Sequence, residues 1–255
     1  MVNFVYSIRR KTWCANNVAD IRGKIQMADH LRDNYDTRTE AETKRYVELV
    51  MPVILELLKN GKPVLQRDGP DRPLPEQTLR HTLLDLCQRH PPVDQIRPTI
   101  PELCRTLLHL MRNDNEENAV TALKIFQELV RANKQTCDMF FQPFIEFVTD
   151  LYTGMDTVVN ELFPESDPPA IDQTALVPGL RSFKVAVELP IAVIYACNLN
   201  KEVGYPALQQ LSPHIIHVSC QFTREFRRLA HATRRALVHA TRGSKPAQGS
   251  RRPHA

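Results

Sequence analysis

Apolar residues recur at steps of three and four along most of the chain, and short polar or proline-rich stretches separate the runs. Over residues 43–60, "TKRYVELVMPVILELLKN" puts Tyr46, Val47, Val50, Ile54, Leu57 and Leu58 on one stripe, with Gly61 and Pro63 as the stop. Pro52 has to bend or split this helix, because its ring displaces a carbonyl one turn earlier. The loop "QRDGPDRPLP" follows. A second helix is predicted over 76–89, with Leu79, Leu83, Leu86 and Cys87 inward.

The arrangement then repeats. "IRPTIPELCRTLLHLMRN" is a proline-entered helix that turns Leu103, Leu107, Leu110 and Met111 inward. "DNEENAVTALKIFQELV" follows it, with Asp114 as N-cap and Glu117 completing a capping box. Glu117, Thr121, Lys124, Glu128 and Arg131 line its polar stripe, and apolar side chains cover the rest, so only a narrow band faces water. A third proline-entered helix begins at "FQPFIEFVTDLYTG", with Phe144, Ile145, Phe147, Val148, Leu151 and Tyr152. Pro52, Pro101 and Pro143 are 49 and 42 residues apart, and Leu79 and Val120 are 41 apart. These offsets fall near the roughly 40–47-residue period of HEAT and armadillo repeats. A helix pair that is apolar on more than one side cannot bury that surface alone and must stack on copies of itself.

The expected fold is therefore all-α, a HEAT-like α-solenoid of stacked helix hairpins over residues 34–221. A weakly helical segment, 1–33, with one candidate helix at 18–31, precedes it. A proline-rich loop, "PESDPPAIDQTALVPG", occupies about 164–180; helices resume at 182–199 and at about 208–228. Residues 222–255 form a basic tail, partly helical and then disordered.

Composition supports this reading. The chain has 255 residues, 42% hydrophobic and 24% charged, with only eight glycines, a balance that suits helices. Its six cysteines, Cys14, Cys87, Cys104, Cys137, Cys197 and Cys220, form no C-x-x-C pair, and with no secretory leader expected, a reducing interior compartment fits best. The most apolar run, 185–197, contains Glu188 and Pro190 and is too short to span a bilayer, so it reads as a buried helix. Charge is uneven. From Gln221 onward nine basic residues face Glu225 alone, a formal +8, and the overall +4 leaves the first 220 residues at −4.

Catalytic machinery is not expected. No two glycines lie closer than six residues, which excludes G-x-G-x-x-G and Walker-type phosphate loops, and neither G-x-S-x-G nor H-E-x-x-H occurs. In "HIIHVSC", His214, His217 and Cys220 have ligand-like spacing, but no fourth ligand is nearby and the last is almost two turns from the first. Incidental histidines on a partly buried helix are the simpler reading, and no metal, cofactor or small-molecule substrate is assigned. Glu116 and Glu117 sit where carboxylates complement a helix start, and the acids of "ESD" sit in a loop, not as an acid/base pair. In the tail, Arg227, Arg228, Arg234 and Arg235 fall on one helical face and are the candidate contacts to an acidic partner, nucleic-acid phosphates included. No aromatic residue follows Phe226 to stack on bases.

Four blocks, "YVELVMPVILELLKNGKPV", "LRHTLLDLCQR", "NDNEENAVTALKIFQELVR" and "SFKVAVELPIAVI", resemble in order the N-terminal HEAT region of the transformation/transcription domain-associated protein family. The resemblance covers about 31–221; from Phe222 onward the chain resembles nothing in that family. It implies a very large helical-repeat pseudokinase of the phosphatidylinositol-kinase-related group. Such proteins are nuclear scaffolds of SAGA-type histone acetyltransferase complexes that receive transcription activators. On this reading the chain is a short, non-enzymatic scaffold piece whose partners are acetyltransferase-complex subunits and activators, with no membrane association. The alternatives are a basic nucleic-acid-associated module that uses the tail, and a generic HEAT adaptor such as a transport factor.

Overall fold

The computed structural model describes residues 21–34, 39–60, 74–89, 93–165, 171–172, 176–199 and 201–243. The first 20 residues with Cys14, most of the loop expected at 66–75, much of the proline-rich stretch and the tail from 244 onward lie outside them. Among the described residues every regular element is a helix. They are α1 (Ile21–Asp33), α2 (Glu40–Leu49), α3 (Met51–Asn60), α4 (Pro75–Gln88), α5 (Val93–Ile96), α6 (Ile100–Asn113), α7 (Glu116–Ala132), α8 (Lys134–Cys137), α9 (Phe141–Leu162), α10 (Leu176–Leu199) and α11 (Lys201–Gly243).

Two layers result. Helices α3, α6 and α9 lie side by side in one, and α1, α4, α7 and α10 in the other. Helix α6 pairs with α7 and α9 with α10, while α11 packs on both α9 and α10. This is the solenoid-like stack of hairpins that the repeat spacing predicts. One continuous apolar core runs through it, from Ala28 to Val218.

The prolines set where the first-layer helices begin. Pro52 and Pro101 are the second residues of α3 and α6, and Pro143 the third of α9, positions whose N–H would have no intrahelical partner. Val50 separates α2 from α3 while its N–H still reaches the Tyr46 carbonyl at 2.8 Å, so Pro52 splits the helix as expected. Before Pro101 and Pro143 the chain forms two similar entries: a four-residue helix (α5, α8) and then a 3-10 turn, Arg97–Thr99 or Asp138–Phe140. At α2, Thr39 and Glu42 form a reciprocal capping box, the backbone N–H of Thr39 donating to the Glu42 carboxylate at 3.0 Å.

Helix α7 departs from expectation at its start. Asn115, one residue later than Asp114, is the N-cap, and its Oδ1 accepts from the amides of Glu117 (3.1 Å) and Asn118 (3.0 Å). Glu117 therefore closes no capping box. The physical reason is that the Asp114 carboxylate is fully buried and engaged elsewhere.

Helices α10 and α11 also exceed the expected bounds. The former begins at Leu176, inside the stretch expected to be loop, and the latter is unbroken from Lys201 to Gly243 despite Pro206 and Pro213. Each internal proline lacks an N–H for the carbonyl four residues earlier, and hydroxyls replace two of them. Tyr152 of α9 donates to the Ala186 carbonyl, four residues before Pro190, at 2.7 Å. Ser212 donates to the Gln209 carbonyl, four residues before Pro213, at 3.2 Å. Burial pushes the Tyr152 phenol up to about 12, so it stays a donor through the neutral range. Tyr152→Phe is expected to cost about 1–3 kcal/mol in denaturant unfolding by leaving a buried carbonyl without that donor; an unchanged midpoint would refute this role.

Candidate interaction surfaces

Consecutive first-layer helices are tied at the surface by ion pairs: Lys59 to Glu102 at 3.3 Å and Arg112 to Asp150 at 2.8 Å. The hydrogen bond from Arg105, then that from Lys59, holds the Glu102 carboxyl below its ordinary range. Arg105 lies over Phe140 and Arg112 over Phe147, at 5.9 and 5.4 Å from the ring centres. This face is polar and cross-braced. In the second layer, Glu117, Lys124, Glu128 and Arg131 of α7 are exposed and Thr121 is half-buried, the narrow stripe the sequence predicts.

Beneath these surfaces lies a buried polar node. Arg80 of α4 donates through Nε to Asp114 Oδ2 at 2.6 Å, with both side chains almost wholly buried. Asp114 Oδ1 also accepts from the Asn115 amide at 2.8 Å. Arg181 of α10 donates through Nε to the Asp114 carbonyl and through Nη2 to the Met111 carbonyl, the latter at 2.7 Å. Those carbonyls belong to the C-terminal end of α6, so one hairpin caps a helix of its neighbour with a cation, which also complements the helix dipole. Burial pulls the Arg181 guanidinium down, and Asp114 and then Glu116 push it back up. Three helices of the second layer and the turn from α6 to α7 are thus fastened at one point.

Apolar side chains emerge in two places near the far end. Val187 and Ile194 of α10, seven residues apart on one face, are 58% and 50% exposed, and Tyr205 and Ile216 of α11 are 50% and 63% exposed. The run 185–197, expected to be a buried helix, therefore buries Val185, Leu189, Val193 and Cys197 and turns another face outward. A small apolar pocket, with about 20 Å³ of space for a water-sized molecule, lies among α7, α8, α9 and α10.

The candidate basic contacts stand on α11. Arg227 and Arg228 are exposed, and Arg228 Nε pairs with Glu225 Oε2 at 3.1 Å. Positions 234 and 235 continue the same helix in a register that shares a face with 227 and 228; their side chains lie outside the description. His214, His217 and Cys220 are exposed, and His217 Nε2 lies 3.2 Å from Asp156 Oδ1 of α9. Among the described residues no group of three or more His, Cys, Asp or Glu could hold a metal ion. No helix among them is long and apolar enough to cross a membrane.

Sequence reasoning missed the buried node. Its one legible signal was Asp114 and Asn115 side by side before an amphipathic helix, where one cap suffices and the second polar residue needs another use. The approach of Cys104 to Cys137 gave no signal at all, being 33 residues apart in sequence.

Several curated proteins are similar to the chain. "Probable transcription-associated protein 1" of Dictyostelium discoideum is 30% identical over 162 residues, 64% of this chain and 3% of that protein. "Transformation/transcription domain-associated protein" of Homo sapiens is 22% identical over 224 residues, covering 76% of this chain and 6% of its own length. "SAGA complex/NuA4 acetyltransferase complex subunit Tra1" of Schizosaccharomyces pombe is 27% identical over 222 residues, 77% of this chain and 6% of that protein. The chain thus spans only a small part of these relatives' length. No family model and no solved structure matches it.

Proposed function

We propose, from the similarity of most of the chain to these relatives, that it belongs to the transformation/transcription domain-associated protein family and is a non-enzymatic scaffold segment of a nuclear transcription coactivator, presenting helical surface to proteins of a histone acetyltransferase complex. The observation that carries the proposal is the similarity of most of the chain to relatives named as transcription-associated proteins and as SAGA/NuA4 subunits. The packing is in keeping with it. A row of hairpins fastened through buried contacts holds its outer side chains at fixed spacing, which is what an extended protein-binding face needs. Residues 34–221 would supply that face and 222–255 a basic extension.

The test is purification of the tagged 255-residue chain from nuclear extract. Acetyltransferase-complex subunits are expected to co-purify, and their absence from repeated purifications would overturn the proposal. A second reading, a nucleic-acid-associated module, draws on the exposed Arg227 and Arg228. It predicts that nuclease treatment or moderate salt strips the recovered partners, because phosphate contacts weaken steeply with salt. The scaffold reading predicts recovery that survives nuclease.

A further inference from the structure

Cys104 of α6 and Cys137, the last residue of α8, bring their Sγ atoms to 3.9 Å. Both side chains are essentially buried, but Cys137 also lines the pocket formed with Phe126, Val130, Lys134, Phe141 and Ala196. Cys137 therefore borders a recess with room for little more than a water-sized molecule, and Cys104, which does not line it, is the thiol next to Cys137. We propose that Cys104 and Cys137 are a redox-active dithiol, which a small hydroperoxide entering this pocket converts to a disulfide joining α6 to α8.

The two thiols are not equivalent. Hydrogen bonding to Cys137, then burial, pushes the Cys104 thiol up, whereas the hydrogen bond from Cys104 pulls the Cys137 thiol down against the opposing effect of burial. Cys137, which borders the pocket, is the sulfur that a reagent there meets first, and Cys104 is the thiol beside it. In the first step the Cys137 sulfur attacks one peroxide oxygen. The S–O bond forms, the O–O bond breaks, and the leaving alkoxide or hydroxide takes the thiol proton, giving a sulfenic acid and an alcohol or water. In the second, the Cys104 sulfur attacks the Cys137 sulfur; the S–S bond forms, the S–O bond breaks, and water departs with the Cys104 proton. The thiols lose two electrons in all and the peroxide gains them.

A disulfide needs the sulfurs about 2.05 Å apart, so they must close by nearly half their present separation. Of the two elements that carry the thiols, the four-residue α8, followed at once by a 3-10 turn, has the less internal hydrogen bonding to resist that shift. The other described cysteines are placed differently. Cys87 is wholly buried, with its thiol pushed up to about 12 by that burial, Cys197 donates to the Gly204 carbonyl at 3.0 Å, and Cys220 is exposed. In a reducing compartment the bond would be transient, and the pair would act as a reversible clasp across α7.

The experiment needs no variant to begin. The intact chain is treated with hydrogen peroxide, unfolded in the presence of an alkylating agent, and digested for peptide mass mapping. Both alkylation adducts are expected to be lost from Cys104 and Cys137, with a cross-linked peptide that a reductant releases. Trapping with a sulfenic-acid reagent in the C104S chain is expected to label Cys137. The proposal is overturned if both cysteines remain alkylated while Cys220 is oxidised. It is equally overturned if the pair appears only as separate sulfinic or sulfonic acids.

Discussion

The Asp114→Ala chain is expected to be less stable than the parent by about 3–5 kcal/mol, the usual cost of removing one partner from a buried ion pair. That is a large share of the roughly 5–15 kcal/mol by which folded domains exceed their unfolded states. The carboxylate is wholly buried, and it compensates the Arg80 guanidinium at 2.6 Å while accepting the Asn115 amide at 2.8 Å. Alanine withdraws the negative charge and the acceptor together, and burial denies water access to replace them. Asp114→Asn keeps an acceptor of nearly the same shape and is expected to lose less. In the R80M/D114A double variant part of the loss is expected to return, because the cation that needed the carboxylate has gone too. Denaturant unfolding followed by far-ultraviolet circular dichroism measures these three and the R80M single variant. A loss for Asp114→Ala no larger than about 1 kcal/mol, the scale of an exposed pair, would mean that the node does not hold the hairpins together. Strictly additive single and double variants would show that Arg80 and Asp114 are not coupled.

The same residue marks how far the sequence could be read. Periodicity alone placed the hairpins, because a buried helix face has to be apolar at steps of three and four, and Leu103, Leu107, Leu110 and Met111 are all buried as that rule requires. Proline was equally legible: Pro52, Pro101 and Pro143 each open a helix, since a missing N–H costs no intrahelical bond in the first turn. Asp114 was misread for a physical reason. Local sequence ranks it a good N-cap, and the Asn115 beside it ranks as well. What decides between them is a guanidinium from 34 residues earlier, which no local pattern encodes. Pro190 and Pro213 lie inside the helices expected at 182–199 and about 208–228, and hydroxyls of Tyr152 and Ser212 take up the carbonyls they orphan, so the helices continue through them. Of the candidate contacts, Arg227 and Arg228 were legible as exposed positions from their charge, whereas the exposed Val187 and Ile194 were not. Their apolar character reads as core, and only the packing shows that the neighbouring helices cover the opposite face of α10.

The second large effect is expected at Gly204, in the first turns of α11. A Cβ there would stand 2.4 Å from the Cys197 Cα, 2.8 Å from its Cβ and 2.9 Å from its carbonyl oxygen, so the obstruction is mostly backbone. Only Asn200 lies between α10 and α11, which gives the two helices little freedom to separate. Parting them would also lengthen the 3.0 Å hydrogen bond from the Cys197 thiol to the Gly204 carbonyl. Gly204→Ala is therefore expected to destabilise by about 1–3 kcal/mol or more, the range for overpacked sites. This outcome runs against intrinsic preference, since alanine favours a helix over glycine by about 0.5–1 kcal/mol. Gly154 of α9 provides the comparison. Nothing lies within 4 Å of a Cβ built there, so Gly154→Ala is expected to stabilise by about that intrinsic amount. Adding Cys197→Ala to Gly204→Ala should restore little, because the Cα and the carbonyl oxygen stay in place. Opposite shifts of the two denaturation midpoints would establish that α11 is seated on α10 by direct backbone approach. A Gly204→Ala chain as stable as the parent, or one rescued by Cys197→Ala, would show that the two helices do not meet this closely in solution.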